Sequence, residues 1–202
     1  LLEAFKKQVH HFLDIKIKGN LIIEKIFADY MPAPFMSIFV DDCIKKGKDY
    51  NAGGARYNSS YIQGVGLGSV TDSLSSLKYN VFDKKKYSMK EVSEALKNNF
   101  AYSSEMREEF LFKTPKYGND DNYADDIMRE VFEIYYSGID GRKNIKGGEF
   151  RVNLLPTTCH VYFGSVTNAL PDGRFACEPL SEGISPVQGA DVHGPTAVIK
   201  SA

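Results

Sequence analysis

The sequence predicts a mixed α/β fold. Apolar residues recur at helical spacing through about residue 146, β-branched and aromatic runs take over after Gly147-Gly148, and a Pro/Gly-rich stretch from Gly164 to about Pro195 follows neither period. The 202 residues are expected to form part of one domain, helical over about 1–146 and built of strand and loop over about 147–202.

Taken in order, Leu2, Phe5, Val9, Phe12 and Leu13 share one helix face, so a helix is expected from Leu1 to about Ile17. Proline is tolerated in a first helical turn because the amide it lacks has no intrahelical partner there. Pro34 is therefore expected to start a helix through Ile38, Phe39 and Asp42 that Gly47 ends. Five glycines between Asn51 and Gly68 predict loop. Ser69 or Thr71 is expected to cap a helix with Val70, Leu74, Leu77 and Val81 on one side. Ser88-Met89-Lys90-Glu91 is a capping box, in which hydroxyl and carboxylate each satisfy a first-turn amide, and Val92, Ala95, Leu96 and Phe100 follow as a buried face. A further helix is expected from about Ala124 to Tyr136, with Ile127, Met128, Val131, Phe132 and Tyr135 inward and Ser137-Gly138 stopping it.

Phe150 to Leu155 and Thr158 to Phe163 are rich in β-branched and aromatic residues and read as strand. Pro156 between them cannot donate to a ladder, which requires a kink or an edge. The segment after Gly164 is far longer than ordinary connections. Leu180, Ile184, Val187, Val192, Val198 and Ile199 give it more apolar surface than disordered chains carry, so it is expected to pack on protein. Ala197-Val198-Ile199 looks strand-like, and both ends of the chain are expected to be cuts in a longer polypeptide.

A net charge of −1 and a pI near 6.5 argue against nucleic acid as a partner, since such binding is driven by Lys and Arg neutralising phosphates. Lys84-Lys85-Lys86 is expected to be a solvated turn. The apolar runs Leu21–Ile23 and Phe35–Val40 fall far short of the roughly 20 residues that span a bilayer, so no membrane segment is expected. The start shows no signal peptide, which makes a cytoplasmic location the expectation. Cys43, Cys159 and Cys177 form neither a disulfide framework nor a C-x-x-C site.

Few residues suggest chemistry by pattern. Gly64-Val-Gly-Leu-Gly68 has neither the dinucleotide nor the phosphate-loop spacing, and its glycines are expected to let backbone pass close to backbone. Cys159 and His160, adjacent on the expected strand, would point to opposite faces and form no dyad. His10-His11 and His193 support no metal site, and Asp120, Asp121, Asp125 and Asp126 are expected to complement a helix dipole. Thr157 and Thr158, after Pro156, are expected as hydroxyl-bearing wall groups of a polar pocket.

Several longer motifs carry more. Asn51-Ala-Gly-Gly-Ala-Arg-Tyr-Asn58, Gln63-Gly-Val-Gly-Leu-Gly-Ser69 with Asp72-Ser73-Leu74, and Thr114-Pro-Lys-Tyr-Gly-Asn-Asp120 occur in that order. Leu155-Pro-Thr-Thr-Cys-His-Val-Tyr-Phe-Gly164, Leu170-Pro-Asp-Gly-Arg174 and Glu182-Gly-Ile-Ser-Pro-Val-Gln-Gly-Ala-Asp191 follow. Together they resemble the glycyl radical enzymes of the glycerol-dehydratase and pyruvate formate-lyase type, and within them the hydroxyproline-dehydratase branch. The resemblance implies an α/β barrel, helices outside and strands inside, that is incomplete in these residues. It implies a lyase removing water from a small hydroxylated substrate such as trans-4-hydroxy-L-proline, in an anaerobic cytoplasm and as a homodimer.

That family's thiyl cysteine lies in a Gly-Cys-Val/Ile-Glu motif and its radical glycine in an Arg-Val-x-Gly-Tyr motif. Neither occurs here, so no catalytic residue is assigned and the piece alone is expected to be inactive. No bound cofactor is expected. The resemblance implies a glycyl radical elsewhere in the polypeptide, installed by an activating enzyme that uses S-adenosylmethionine and an iron–sulfur cluster. Thr157 is the first expected substrate contact and Thr158 the second, while Arg56 is expected to tie loop backbone together, with Tyr57 and Asn58 structural. The alternatives are another glycyl radical lyase, of the formate acetyltransferase, glycerol or propanediol dehydratase or choline lyase type, and a non-catalytic truncated product or subunit.

Overall fold

A computed structural model describes residues 1–202 and is mixed helix and strand, with helix predominating. The chain divides into two compact units that interleave in sequence, Leu1–Ile62 with Glu133–Asn153 and Gln63–Phe132 with Leu154–Ala202.

In the first unit, helix α1 runs Leu2–Tyr30, about 44 Å at 1.5 Å per residue and well beyond the expected end at Ile17. After Ile17 the apolar residues no longer keep to one stripe, so periodicity fades although nothing before Pro32 breaks the helix. Leu13 and Ile17 pack with Ile62, Ile139 and Phe150, flanked by Val9, Leu21, Tyr135 and Val152. Phe12, Ile15, Ile22, Ile23, Ile26 and Phe27 of the same helix are exposed.

The helix expected from Pro34 to Gly47 is two, α2 Pro34–Ser37 and α3 Asp41–Lys46, and Gly47 ends the second in the left-handed region. Asp49 explains the interruption: its carboxylate accepts from Ala33 N, Ser37 Oγ and Asn51 N and gathers the chain into a turn. Arg56 pairs with Asp41 and Asp42 rather than with loop backbone. The ties expected of Arg56 come from Asn58, whose amide donates to Gly53 O and Ala55 O. Strand β1, Ser60–Gln63, was hidden in the glycine-rich segment and pairs with β2, Phe150–Asn153, in a two-stranded sheet that does not close.

The second unit is built on α4, Leu67–Leu77, which Gly66 opens in a left-handed conformation. Neither Ser69 nor Thr71 caps it, because both lie inside the helix and are buried. A π-helical turn, Lys78–Asp83, follows, which the apolar position Val81 had made look like plain α-helix. Helix α5, Met89–Lys97, begins with both bonds of the Ser88/Glu91 capping box. Helix α6, Ser104–Phe112, has little amphipathic pattern and was not foreseen, yet it supplies Met106 and Phe110 to a core with Leu77, Val92, Ala95, Phe100 and Ala169. Helix α7 is Asn122–Ser137.

Two strand expectations fail. Thr158–Phe163 is not strand: Cys159–Ser165 forms helix α8, because Pro156 ends β2 and the chain turns before its β-branched run can extend a ladder. Ala197-Val198-Ile199 likewise lies in helix α9, Pro195–Ser201, with proline in its first turn. No helix is long and apolar enough to cross a membrane.

Candidate functional site

The turn from β2 into α8 is held from several sides. The Leu155 carbonyl accepts from Gln63 Nε2 at 2.8 Å, and the Leu154 carbonyl accepts from Ile184 N at 3.3 Å. Gly183 allows that approach, since a Cβ there would sit 2.0 Å from Leu154 O. Thr157 follows Pro156, half-buried, with its Oγ1 shielded from solvent and without a hydrogen-bond partner. A buried hydroxyl left unpaired costs about 1–3 kcal/mol. Thr158 is exposed and occupies the first cap of α8 without a side-chain bond. The sequence placed both threonines on an interrupted strand. The structure puts them on a strand-to-helix turn, with only Thr157 carrying an unsatisfied group.

His160 is buried directly behind that turn. Its Nδ1 lies 2.5 Å from Thr157 O, and its Nε2 is 3.3 Å from Gln188 Nε2 and 3.8 Å from Glu182 Oε1. Cys159 and His160 are therefore about 100° apart on a helix rather than on opposite strand faces, but the thiol is exposed and the imidazole buried, so the pair still makes no dyad. Cys177 is exposed and Cys43 buried. No three His, Cys, Asp or Glu side chains converge as metal ligands.

The long segment after α8 is clasped by polar side chains that periodicity had passed over. Arg174, buried, donates to the carbonyls of Gly164, Asn168, Glu178 and Pro179. Ser69 and Ser181 bond reciprocally, amide to hydroxyl, at 3.0 and 2.9 Å. Tyr117 Oη donates to Ile184 O, and Asn119 both donates to Ala190 O and accepts from Val192 N and His193 N. The glycines behave as expected of close backbone passage: a Cβ on Gly68 would meet Ser185 O at 2.8 Å, and one on Gly164 would meet Glu178 O at 2.2 Å. Thr114–Asp120, Leu170–Arg174 and Glu182–Asp191, recognised as motifs, thus meet one another as a clasp.

At its centre lies a buried charged group that spacing gave no reason to expect. Lys116 Nζ donates to Asp172 O at 2.9 Å and is 3.9 Å from Asp72 Oδ2, while Asp72 Oδ1 accepts from Tyr117 N. Asp72 Oδ2 and Asp172 Oδ2 are buried without partners. Burial pushes the Asp72 carboxyl up to about 7 against the pull of Lys116, and burial raises Asp172 as well. Asp125 lies in the first turn of α7, as expected, and is also buried, bonded by Ser201 Oγ and raised by burial. A cavity of about 430 Å³ lies among Leu77, Val92, Leu96, Asn168, Ala169 and Pro171, and its lining includes neither Thr157 nor His160.

Comparison with known proteins places this geometry. A family model described as pyruvate formate lyase-like matches residues 1–164. The whole chain is 59% identical, over 201 residues, to trans-4-hydroxy-L-proline dehydratase of Clostridioides difficile and covers 26% of that protein. The solved structure of hydroxyproline dehydratase from C. difficile with trans-4-hydroxy-L-proline bound superposes with a TM-score of 0.95 over 98% of this chain and 25% of its own. The glycerol-bound B12-independent glycerol dehydratase of Clostridium butyricum gives a TM-score of 0.92 at 40% identity, again over 98% and 25%. The chain spans about a quarter of the length of the relatives it matches.

Proposed function

The chain belongs to the pyruvate formate lyase-like family, and from that premise we propose that it is part of a glycyl radical dehydratase that removes water from trans-4-hydroxy-L-proline or a similarly small hydroxylated substrate. The observation that carries this reading is the 59% identity along the entire chain, against 40% to the glycerol dehydratase. Residues 1–202 then form part of one barrel domain, completed by the remainder of the same polypeptide. The exposed apolar residues of α1 support that, since contiguous apolar surface of this kind marks a place where other protein packs.

In this proposal the radical pair is supplied by the polypeptide outside these residues, together with an activating enzyme of the S-adenosylmethionine and iron–sulfur type, in a homodimer of an anaerobic cytoplasm. The residues here bind, orient and exclude water. Thr157 contacts the substrate through its unpartnered hydroxyl, which a rotamer step about χ1 re-aims without moving the backbone. Thr158, exposed beside it, is the weaker contact.

The test is to activate the complete polypeptide anaerobically, record its electron paramagnetic resonance spectrum, and follow consumption of trans-4-hydroxy-L-proline. A glycine-centred doublet with turnover is expected. A doublet without turnover would overturn the substrate and leave the glycyl radical reading standing, whereas the lack of any doublet would favour a non-catalytic product. Thr157→Val is expected to raise KM by about tenfold, the loss of one hydrogen bond, and Thr158→Val by less.

A further inference from the structure

We propose that His160 is a positioning residue: its imidazole, fixed from behind by Gln188, holds the Pro156-Thr157-Thr158 turn so that the Thr157 hydroxyl meets substrate. This rests on the reading of Thr157 as a substrate contact.

A neutral imidazole satisfies both contacts in one arrangement. A carbonyl oxygen only accepts, so His160 Nδ1, 2.5 Å from Thr157 O, carries the proton. In the neutral ring that leaves Nε2 as an acceptor, and the Gln188 amide nitrogen at 3.3 Å donates to it. A directional chain therefore runs from the Glu182–Asp191 loop through the imidazole to the Thr157 carbonyl. Glu182 Oε1, at 3.8 Å from Nε2, is beyond hydrogen-bond reach of the ring.

Position gives this chain its effect. Val161 N bonds to Thr158 O, so the first turn of α8 closes one residue beyond the Thr157 carbonyl. The imidazole supplies the donor at the point where β2 has ended and the helix has not begun. His160 is only 7% exposed, so it cannot exchange this bond for water without moving. On the other side Leu180 N donates to His160 O, which fastens the same residue to the long loop through its backbone. Both ring nitrogens are thus aimed at partners.

The experiment uses the complete, anaerobically activated polypeptide, with rates normalised to radical content. His160→Asn keeps a nitrogen donor near the place of Nδ1, whereas His160→Leu keeps bulk without the donor. His160→Leu is expected to raise KM for trans-4-hydroxy-L-proline about tenfold with a smaller change in normalised kcat, to add little on a Thr157→Val background, and to be rescued to within about threefold by His160→Asn. Equal KM values for the Asn and Leu variants, or an unchanged KM in His160→Leu while Thr157→Val raises it, overturn the proposal and leave the Thr157 reading intact. An unchanged KM in Thr157→Val sinks the Thr157 reading and the proposal with it. Should His160→Leu fail to fold, Gln188→Leu probes the same chain from an exposed loop position. It is expected to raise KM about threefold, and no rise beside a raised KM in Thr157→Val overturns the proposal.

Discussion

Helix α4 buries Ser69, Thr71, Asp72, Ser73, Ser75 and Ser76, whereas helix α1 carries Phe12, Ile15, Ile22, Ile23, Ile26 and Phe27 on its surface. Each reverses the usual rule of apolar inside and polar outside, and for different reasons. In α4 most of the polar groups are matched, Ser73 Oγ to Ser69 O, Ser75 Oγ to Pro115 O, Thr71 Oγ1 to Met128 Sδ and Asp72 Oδ1 to the Tyr117 amide, while Ser76 Oγ and Asp72 Oδ2 are buried without a partner. In α1 the apolar groups lack cover within these residues. Polar groups are buried in α4 where most of them find a partner, and the exposed apolar residues of α1 are the surface that the proposed remainder of the polypeptide would cover.

The largest way to break this contrast is at α1. Lysine at Ile15, Ile22 and Ile26 of the complete polypeptide is expected to cost on the order of 5 kcal/mol or more, at about 1.5–3 kcal/mol per buried isoleucine. In the 202-residue chain alone the same changes should lower aggregation, read by light scattering. An unchanged melting temperature of the complete variant would make α1 an ordinary solvent face.

Next comes Asp72. Its carboxyl, ordinarily near 3.8, is raised to about 7 by burial. The folded state therefore holds its proton where the unfolded state has lost it, so the contribution of Asp72 to stability is largest at low pH and falls as pH rises from about 4 to about 7. Asp72→Asn keeps an acceptor for Tyr117 N and is expected to flatten that fall, by on the order of 4 kcal/mol at most, in urea melts across pH. A fall of equal steepness in the variant would assign it to another group.

Two smaller effects sharpen the comparison inside the second unit. Ser75→Ala leaves the Pro115 carbonyl without its 2.6 Å donor and is expected to cost about 1–3 kcal/mol in chemical denaturation. Ser88→Ala, at the exposed cap of α5, is expected to cost about 1 kcal/mol. If the two cost the same, the buried hydroxyls of α4 carry no premium over a surface cap.

The sequence showed its local signals and concealed its long-range ones. The capping box at Ser88, the stop at Gly47 and the span of α7 depend on neighbours within a few positions, and all were legible. α8 was misread as strand because Val161, Tyr162 and Phe163 have β preferences, which the turn forced by Pro156 overrides. β1 was missed because four residues among glycines show no alternation, and its partner lies nearly ninety positions away. At the candidate site, Thr157 came from a motif and its geometry from the structure. Sequence adjacency pairs His160 only with Cys159, whereas its partners include Gln188, 28 positions further on. The two cations of the clasp, Arg174 and Lys116, lay inside recognised motifs, but spacing cannot reveal which carbonyl a buried cation will find, and for Arg174 these include Asn168, Glu178 and Pro179 outside them.

The reciprocal bonds between Ser69 and Ser181 join positions 112 apart. At a synthesis rate of about 5–20 residues per second, α4 leaves the ribosome about 6 to 22 s before the strand of chain that completes it. A helix of leucines would spend that interval as a target for chaperones or for its neighbours on the polysome. With four serines, a threonine and an aspartate among its eleven residues, α4 waits in water at less cost, and its composition suits the delay as much as it suits the final packing.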